Sequence, residues 1–170
     1  TASSRVLAVQ GQVVPATNVD VRLWAELENG DRIEGESNIG HAPSPIVRLG
    51  CLPERPPALP RALEAIASAD LILLGPGSLY TSLLPNLLVP ELVSAIRRSR
   101  APRLYICNLM TQPGETDGLD VRGHLRAIEA QLASLGIDQR LFTAVLAQDD
   151  LEDSPLVEHY RSRGAQPVVC

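Results

Sequence analysis

Lysine is absent from this sequence, because all 15 basic residues of the 170-residue chain are arginines. The chain therefore has no lysine to form a Schiff base, to serve in a phosphate-binding loop or to act as a general base. Cysteine is also scarce: Cys51, Cys107 and Cys170 are odd in number, widely spaced and without a C-x-x-C pair. This spacing indicates neither a disulfide framework nor a zinc site, and we expect a reducing cytoplasmic location.

Long apolar runs and a basic excess are absent as well. Pro, Asn and Glu interrupt the apolar stretches well short of a membrane span, so no membrane insertion is expected. The net charge of −5 and the pI near 5.2 disfavour nucleic acid as a partner. Residues 1–5 do not resemble a signal peptide, and we expect the chain to be a piece of something longer. No metal site is predicted from the scattered histidines.

The first third of the sequence is β-like. Residues 19–28 alternate apolar and polar side chains, which is the period of a half-buried strand. Asn29-Gly30 then marks a tight turn, and a return strand through 32–35 completes an antiparallel hairpin. The proline-rich run Leu52–Pro60 is typical of a linker. We therefore expect one partial domain over 1–170, with a β-ribbon portion over 1–50 and a second portion over 61–170.

The second portion alternates helices with strands. Apolar spacing, capping residues and short apolar runs predict helices around 63–67 and over 91–98, 121–135 and 155–163, with strands over 71–74, 103–107, 141–146 and 167–169. Such alternation implies right-handed crossovers and a mostly parallel sheet. In that kind of sheet, the ligand crevice lies beyond the carboxyl ends of the strands.

One polar loop follows the strand at 71–74, within LILLGPGSLYTSLLPNLL at residues 71–88. Gly75 and Gly77 allow backbone N–H groups to approach a ligand closely. A following helix start would add partial positive charge, and hydroxyl donors come from Ser78, Tyr80, Thr81 and Ser82. These features favour a phosphate, although the same residues are compatible with a tight turn whose hydroxyls cap a helix.

A second polar loop, CNLMTQPGETDG at residues 107–118, follows the strand at 103–107. Its amide and hydroxyl side chains can read a base edge or sugar hydroxyls. Its two acids can accept from a ribose or hold a hard cation. The alternative is a solvated loop with Asp120 capping the next helix. The candidate ligand-binding residues of this loop are Asn108, Thr111, Gln112, Glu115, Thr116 and Asp117.

The two polar loops resemble the YvcK/CofD-like family, as do VVPATNVDV at 13–21 and GESNIG at 35–40. The resemblance covers nearly the whole chain. It implies an α/β fold of the Rossmann-like, three-layer type, with helices on both faces of a mostly parallel sheet and an antiparallel β-hairpin near the N-terminus. It also implies a nucleotide-type ligand.

The family has two branches with different activities. The CofD branch transfers a 2-phospholactyl group onto a deazaflavin, using a nucleotide-activated donor and a divalent cation such as Mg²⁺. The YvcK branch consists of gluconeogenesis factors that bind UDP-sugars, support growth and cell shape, and have no established reaction. The transferases carry a Pro-Ser-Asn-Pro style loop where this chain has Gly75–Ser82, and the loop at 108–118 also resembles the YvcK branch.

The resemblance therefore implies a regulatory binder of UDP-sugars, with no cofactor and no catalytic residue assigned, and with Mg²⁺ expected only for a transferase. A phospholactyl transferase and a structural half-domain are the alternatives, and a homo-oligomer is compatible with any of them. The family's Gly-rich GGGTG-type loop has no counterpart here, so we expect the C-terminal portion of such a protein with part of the ligand site missing. Tyr160 and Arg161, in EHYRSRGAQPV, are candidates for contacting a diphosphate.

Overall fold

The computed structural model describes residues 11–138, 140–149 and 155–170, and it contains two three-stranded sheets. The first sheet is antiparallel, with strand order β2-β1-β3. Its strands are β1 (Arg22–Leu27), β2 (Arg32–Glu34) and β3 (Ile46–Leu52), and the short helix α1 (Glu36–Ile39) follows β2. The predicted hairpin is confirmed, with its turn at Asn29-Gly30.

Strand β3 runs through Gly50 and ends at Leu52, the first residue of the proline-rich run. Gly50 faces Trp24 of β1, and a Cβ atom at position 50 would lie 2.1 Å from the indole ring. At the edge of β3 that faces away from β1, the buried side chain of Gln131 forms the hydrogen bonds that a neighbouring strand would otherwise form. The Leu49 N–H donates to Gln131 Oε1 at 2.8 Å, and Gln131 Nε2 donates to the Leu49 carbonyl at 2.9 Å.

The second sheet is parallel, with order β4-β5-β6. Its strands are β4 (Ile72–Leu74), β5 (Arg103–Ile106) and β6 (Ala144–Leu146). Helix α2 (Pro60–Ala67) precedes β4. The connection from β4 to β5 contains a π-helical turn (Leu79–Leu83), α3 (Leu84–Leu87) and α4 (Pro90–Arg98). Helix α5 (Val121–Ser134) joins β5 to β6, and α6 (Pro155–Arg161) is the last helix. The predicted α/β class, with a parallel sheet and alternating helices, is confirmed.

One predicted strand is wrong, and the bounds of several other elements shift. The predicted last strand at 167–169 is wrong: Pro167 makes an isolated antiparallel bridge to Met110, because the segment pairs with a loop rather than with a strand. Strand β6 starts at Ala144 rather than 141, because the two apolar residues before it pack into the core instead of pairing. Leu141 is buried, and the ring centroid of Phe142 lies 5.5 Å from that of Tyr105. The last helix ends at Arg161 rather than 163, two residues before Arg163.

A single hydrophobic cluster joins the two sheets. It includes Ala25 and Leu49 from the antiparallel sheet, Tyr105 from the parallel sheet and Ile128 from α5. The proline-rich segment at 52–60 packs against α4, since the Ala58 N–H donates to Glu91 Oε2 at 2.6 Å. The β-ribbon and the helix-strand portion therefore share one core.

The two faces of the parallel sheet differ in exposure. Tyr105 is 0% exposed, whereas Leu73 and Leu146, which register and alternation place on the opposite face, are 50% and 55% exposed. Within the described residues, no helix by itself has the length and apolarity to cross a membrane; only the pair 79–87 and 90–98, bent by 75°, reaches that length together.

Candidate functional site

Both polar loops lie at the carboxyl ends of neighbouring parallel strands, β4 and β5. The side chain of Asn108 joins them directly. The Gly77 N–H donates to Asn108 Oδ1 at 3.1 Å, and Asn108 Nδ2 donates to the Gly77 carbonyl at 2.9 Å. This pair of hydrogen bonds extends the β4–β5 contact beyond the sheet and fixes the loops side by side.

Gly75 has a packing function at the start of the first loop. Its φ is +89°, and a Cβ atom there would lie 2.5 Å from the carbonyl oxygen of Ile106. Only glycine adopts that conformation easily and tolerates so close a backbone approach. The glycine therefore lets the loop leave β4 tightly against the end of β5.

Glu115 lies at the centre of the site and is 6% exposed. Its Oε1 accepts hydrogen bonds from the Ser78 hydroxyl, the Tyr80 N–H at 2.7 Å and the Thr81 N–H at 3.1 Å. Ser78 Oγ also bonds Thr81 Oγ1 and accepts from the Thr81 N–H, so it caps the helical turn. The donors that the sequence suggests for a phosphate are thus used by a carboxylate of the same chain.

The other oxygen of Glu115 is different. Oε2 is buried and has no hydrogen-bond partner among the described residues. A buried acceptor without a donor costs free energy, and native proteins rarely leave one unexplained. This oxygen is therefore a buried acceptor of the site for which the described residues supply no donor.

Other polar residues of the second loop hold the loop itself together. Thr116 is buried, and its hydroxyl accepts from the Gln112 N–H at 2.8 Å. Thr111 is buried, and its hydroxyl accepts from the Gln166 N–H at 2.8 Å. The exposed Asp117 accepts from the Gly114 N–H at 2.6 Å. The loop is thus shaped by its own side chains, with Asp117 at the surface.

A cleft of about 190 Å³ opens beside Glu115. One wall is the segment 42–46 and the other is the second polar loop, and the Ala42 N–H donates to the Gly114 carbonyl at 3.0 Å where the walls meet. The residues that line the cleft are Ala42, Pro43, Ser44, Pro45, Ile46, Tyr80, Gly114, Glu115, Asp117 and Leu119. Two of them are acids and none is basic.

Tyr80 contributes a buried hydroxyl to this cleft. The hydroxyl donates to the Ile46 carbonyl at 3.3 Å. Burial raises the pKa of Tyr80 to about 12, and the negative charge of Glu115 adds to the shift. The phenol therefore stays protonated at neutral pH, and because its proton is held by the Ile46 carbonyl, its oxygen serves as an acceptor.

The structure groups most, but not all, of the predicted site residues. Gly77, Ser78, Tyr80 and Thr81 meet Asn108 and Glu115 directly. Tyr160 and Arg161 lie on α6, where Arg161 is 3.9 Å from Glu158, and neither lines the cleft. The segment after α6 contacts the second loop, since a Cβ atom at Gly164 would lie 3.6 Å from Pro113.

Sequence reasoning missed the wall formed by residues 42–46. The sequence HAPSP at 41–45 shows only the composition of a loop. Its approach to Gly114, which has φ +80°, depends on a tertiary contact that leaves no periodic signal. Ser44 and Leu119 therefore join the site only through the structure.

A family model described as "2-phospho-L-lactate transferase CofD" matches residues 1–170. This chain belongs to the CofD family. Within the CofD family, a Nostoc relative is 54% identical over 167 residues, which is 98% of this chain and 36% of that relative. The Bacillus subtilis "Gluconeogenesis factor" is 41% identical over 168 residues, 99% of this chain and 51% of the relative. The Halalkalibacterium halodurans "Gluconeogenesis factor" is 51% identical over 166 residues, 98% of this chain and 50% of the relative.

A solved structure agrees with the family assignment and the fold. The crystal structure of a Bacillus halodurans protein superposes with a TM-score of 0.86 at 42% sequence identity, covering 99% of this chain and 53% of that one. This CofD-family chain therefore spans about half, or less, of the length of the relatives it matches.

Proposed function

We propose that this CofD-family chain is part of a gluconeogenesis-factor-type protein that binds a nucleotide sugar of the UDP-sugar class without turning it over. The observation that carries the proposal is that Asn108 and Glu115 join the two polar loops at the carboxyl ends of β4 and β5, beside an open cleft. Ligands of open α/β sheets bind at that edge of the sheet.

The chemistry of the site supports a polyhydroxyl ligand. Asp117 is exposed and lines the cleft, and Tyr80 and Ser44 line it with hydroxyl-bearing side chains. A few convergent polar groups in an otherwise apolar cleft are typical of small-molecule sites. The hydroxyls of a sugar can donate to the Asp117 carboxylate and to the hydroxyl oxygens of Tyr80 and Ser44.

The relatives support the gluconeogenesis-factor branch. Proteins named gluconeogenesis factor are 41% and 51% identical to this chain over nearly all of it. The proposal includes a regulatory role in carbon metabolism and cell shape, and a cytoplasmic location. Three free cysteines, two of them buried, support the reducing compartment.

Only part of the ligand would be held by the described residues. The Ser78, Tyr80 and Thr81 donors are taken by Glu115, so a diphosphate needs other donors while that carboxylate stays in place. Relatives are about twice as long as the match or longer. We therefore propose that phosphate and base binding depend on the part of the longer relatives that this chain does not cover.

Calorimetry tests the proposal, with the full chain and the Bacillus subtilis relative each titrated with UDP-glucose, UDP-N-acetylglucosamine and UDP. A parallel incubation supplies a deazaflavin, an activated phospholactate donor and Mg²⁺, because the family description names a phospholactate transferase. Saturable UDP-sugar binding with no phospholactyl product supports the proposal. Product formation would overturn it in favour of the transferase.

A further inference from the structure

Two cysteines that are far apart in the sequence come together at the carboxyl end of β5. Cys107 directly follows β5 and begins the second polar loop, and Cys170 lies in the segment 165–170, after α6. We propose that this pair is a redox modification site: a peroxide oxidises Cys170, and Cys107 then closes a reversible disulfide that fastens the segment 165–170 to the loop. The proposal is independent of the ligand that the chain binds.

The register of the segment against the loop brings the two cysteines together. The Val168 N–H donates to the Leu109 carbonyl at 2.9 Å, next to an antiparallel bridge in which each step forward in the segment matches one step back in the loop. Two steps further, Cys170 is level with Cys107. Residues at one level of an antiparallel pair have Cα atoms about 4.5–5.5 Å apart, and disulfides span about 4.4–6.8 Å.

The backbone pairing stops before the cysteines. The Cys107 N–H donates to the Leu146 carbonyl of β6 at 2.9 Å, and the Val169 carbonyl accepts from the Val121 N–H at the start of α5. Cys170 is thereby turned towards the face of the sheet on which α5 packs. Alternation along β5 places the Cys107 side chain on that same face, so the two side chains rather than the two backbones meet.

Two further observations place the thiols near each other. The Cys170 thiol donates to the Gln148 carbonyl at 3.9 Å, just beyond the end of β6, the strand that pairs beside Cys107. Burial raises the pKa of the Cys107 thiol, and the negative charges of Cys170 and Asp120 add to the shift. Charges have such an effect on a thiol only when they are close to it.

The exposure of the two thiols sets the order of the chemistry. Cys170 is exposed, whereas Cys107 is 4% exposed. Hydrogen peroxide therefore reaches Cys170 first: its sulfur attacks one peroxide oxygen, the O–O bond breaks, and a sulfenic acid and water form. The Cys107 sulfur then attacks the Cys170 sulfur, the S–O bond breaks, and the Cys107 proton leaves with the hydroxide as a second water. Two thiols and one peroxide give one disulfide and two waters, and two electrons pass from sulfur to oxygen.

A metal ion would be the other use of two neighbouring thiols. Structural zinc sites usually have four ligands from cysteine, histidine or carboxylate side chains. In the described ranges there is no group of three or more His, Cys, Asp or Glu side chains that could hold a metal ion. The pair is therefore suited to disulfide chemistry rather than to metal binding.

The test is peptide mapping of the folded chain after brief exposure to hydrogen peroxide, followed by alkylation of the remaining thiols. Trypsin cleaves after arginine and leaves the three cysteines in separate peptides, 49–61, 104–122 and 164–170. We expect the linked pair 104–122 and 164–170 as the main oxidised product, reversed by dithiothreitol, with Cys51 alkylated because it is buried in β3. In urea the preference for this pair should be lost. Disulfides that join Cys170 of two chains, links to Cys51, or a Cys170 sulfinic acid beside an alkylated Cys107 would overturn the proposal.

Hydrogen exchange tests whether the disulfide fastens the segment. Oxidation should slow exchange of the Val168 amide several-fold, because the link limits local opening of 165–170, and reduction should restore it. Cys170→Ser should abolish both the linked peptide and the slowing, since Cys170 is exposed and its replacement leaves the core intact. Cys51→Ala is the matched control and should leave both unchanged. An unchanged exchange rate in the linked protein, or slowing that persists in Cys170→Ser, would overturn the proposal.

Discussion

Replacing Glu115 by alanine removes the contact on which the geometry of the first loop depends. The carboxylate accepts from the Ser78 hydroxyl and from two backbone N–H groups, and it is almost completely buried. Ser78 and Thr81 keep their bonds to each other, so the Tyr80 N–H loses most. A buried donor left without a partner costs about 1–3 kcal/mol, and lost charge-assisted bonds add a similar amount. We expect Glu115→Ala to lower the free energy of unfolding by about 2–4 kcal/mol.

Urea unfolding followed by circular dichroism measures this cost. Glu115→Gln keeps one acceptor oxygen and loses the charge, so we expect the free energy of unfolding to fall by about 1–2 kcal/mol. Glu129→Ala is the control, because Glu129 is exposed on α5 and its loss should change stability by about 0.5 kcal/mol or less. If Glu115→Ala unfolds at the same urea concentration as Glu129→Ala, the carboxylate does not hold the loop and the description of the site is wrong.

Four further outcomes are expected. Gly75→Ala should lower the free energy of unfolding by about 2 kcal/mol or more, measured by thermal unfolding, because its Cβ atom would lie 2.5 Å from a backbone carbonyl oxygen. Gly118 also has a positive φ but has open space around it, so Gly118→Ala should lower the free energy of unfolding by about 1 kcal/mol. Equal losses in the two variants would contradict the packing argument. Gln131→Ala should cost about 2–3 kcal/mol and speed hydrogen exchange of the Leu49 amide, and an unchanged exchange rate would show that the edge of β3 is protected otherwise. A difference titration against Tyr80→Phe should show a phenol that ionises near pH 12. Because the pKa of Tyr80 is raised in the folded state, the protonated phenol stabilises the fold below pH 10, and this stabilisation is lost as the pH rises through 12. Ionisation near pH 10 would contradict the burial of Tyr80. The 170-residue chain should bind UDP-sugars more weakly than the longer Bacillus subtilis relative, and equal affinity would contradict a site shared with the rest of the protein.

Local periodicity was sufficient to predict most of the helices and strands. The alternation in 19–28 and the helical spacing in 121–135 match β1 and α5 closely. The segment 167–169 was predicted as a strand because it is short and apolar, yet it has only a loop to pair with. Apolar content shows that a segment can form a strand, but pairing depends on what lies beside it.

The candidate site could be located but not worked out from the sequence. Position after two adjacent strands was enough to bring Asn108 and Gly77 together. The direction of Glu115 was not predictable, because its partners lie 34–37 residues away and are reached only through the parallel pairing of β4 with β5. The same reason hides the wall at 42–46, whose contact with Gly114 is tertiary.

The most direct test of the central claim is a crystal structure of the full chain, or of the Bacillus subtilis relative, with UDP-glucose bound. The account predicts the sugar in the cleft between residues 42–46 and the second polar loop, with Glu115 Oε1 still accepting from Tyr80 and Thr81. A phosphate bound to the Ser78, Tyr80 and Thr81 donors, with the Glu115 side chain turned away from them, would contradict it.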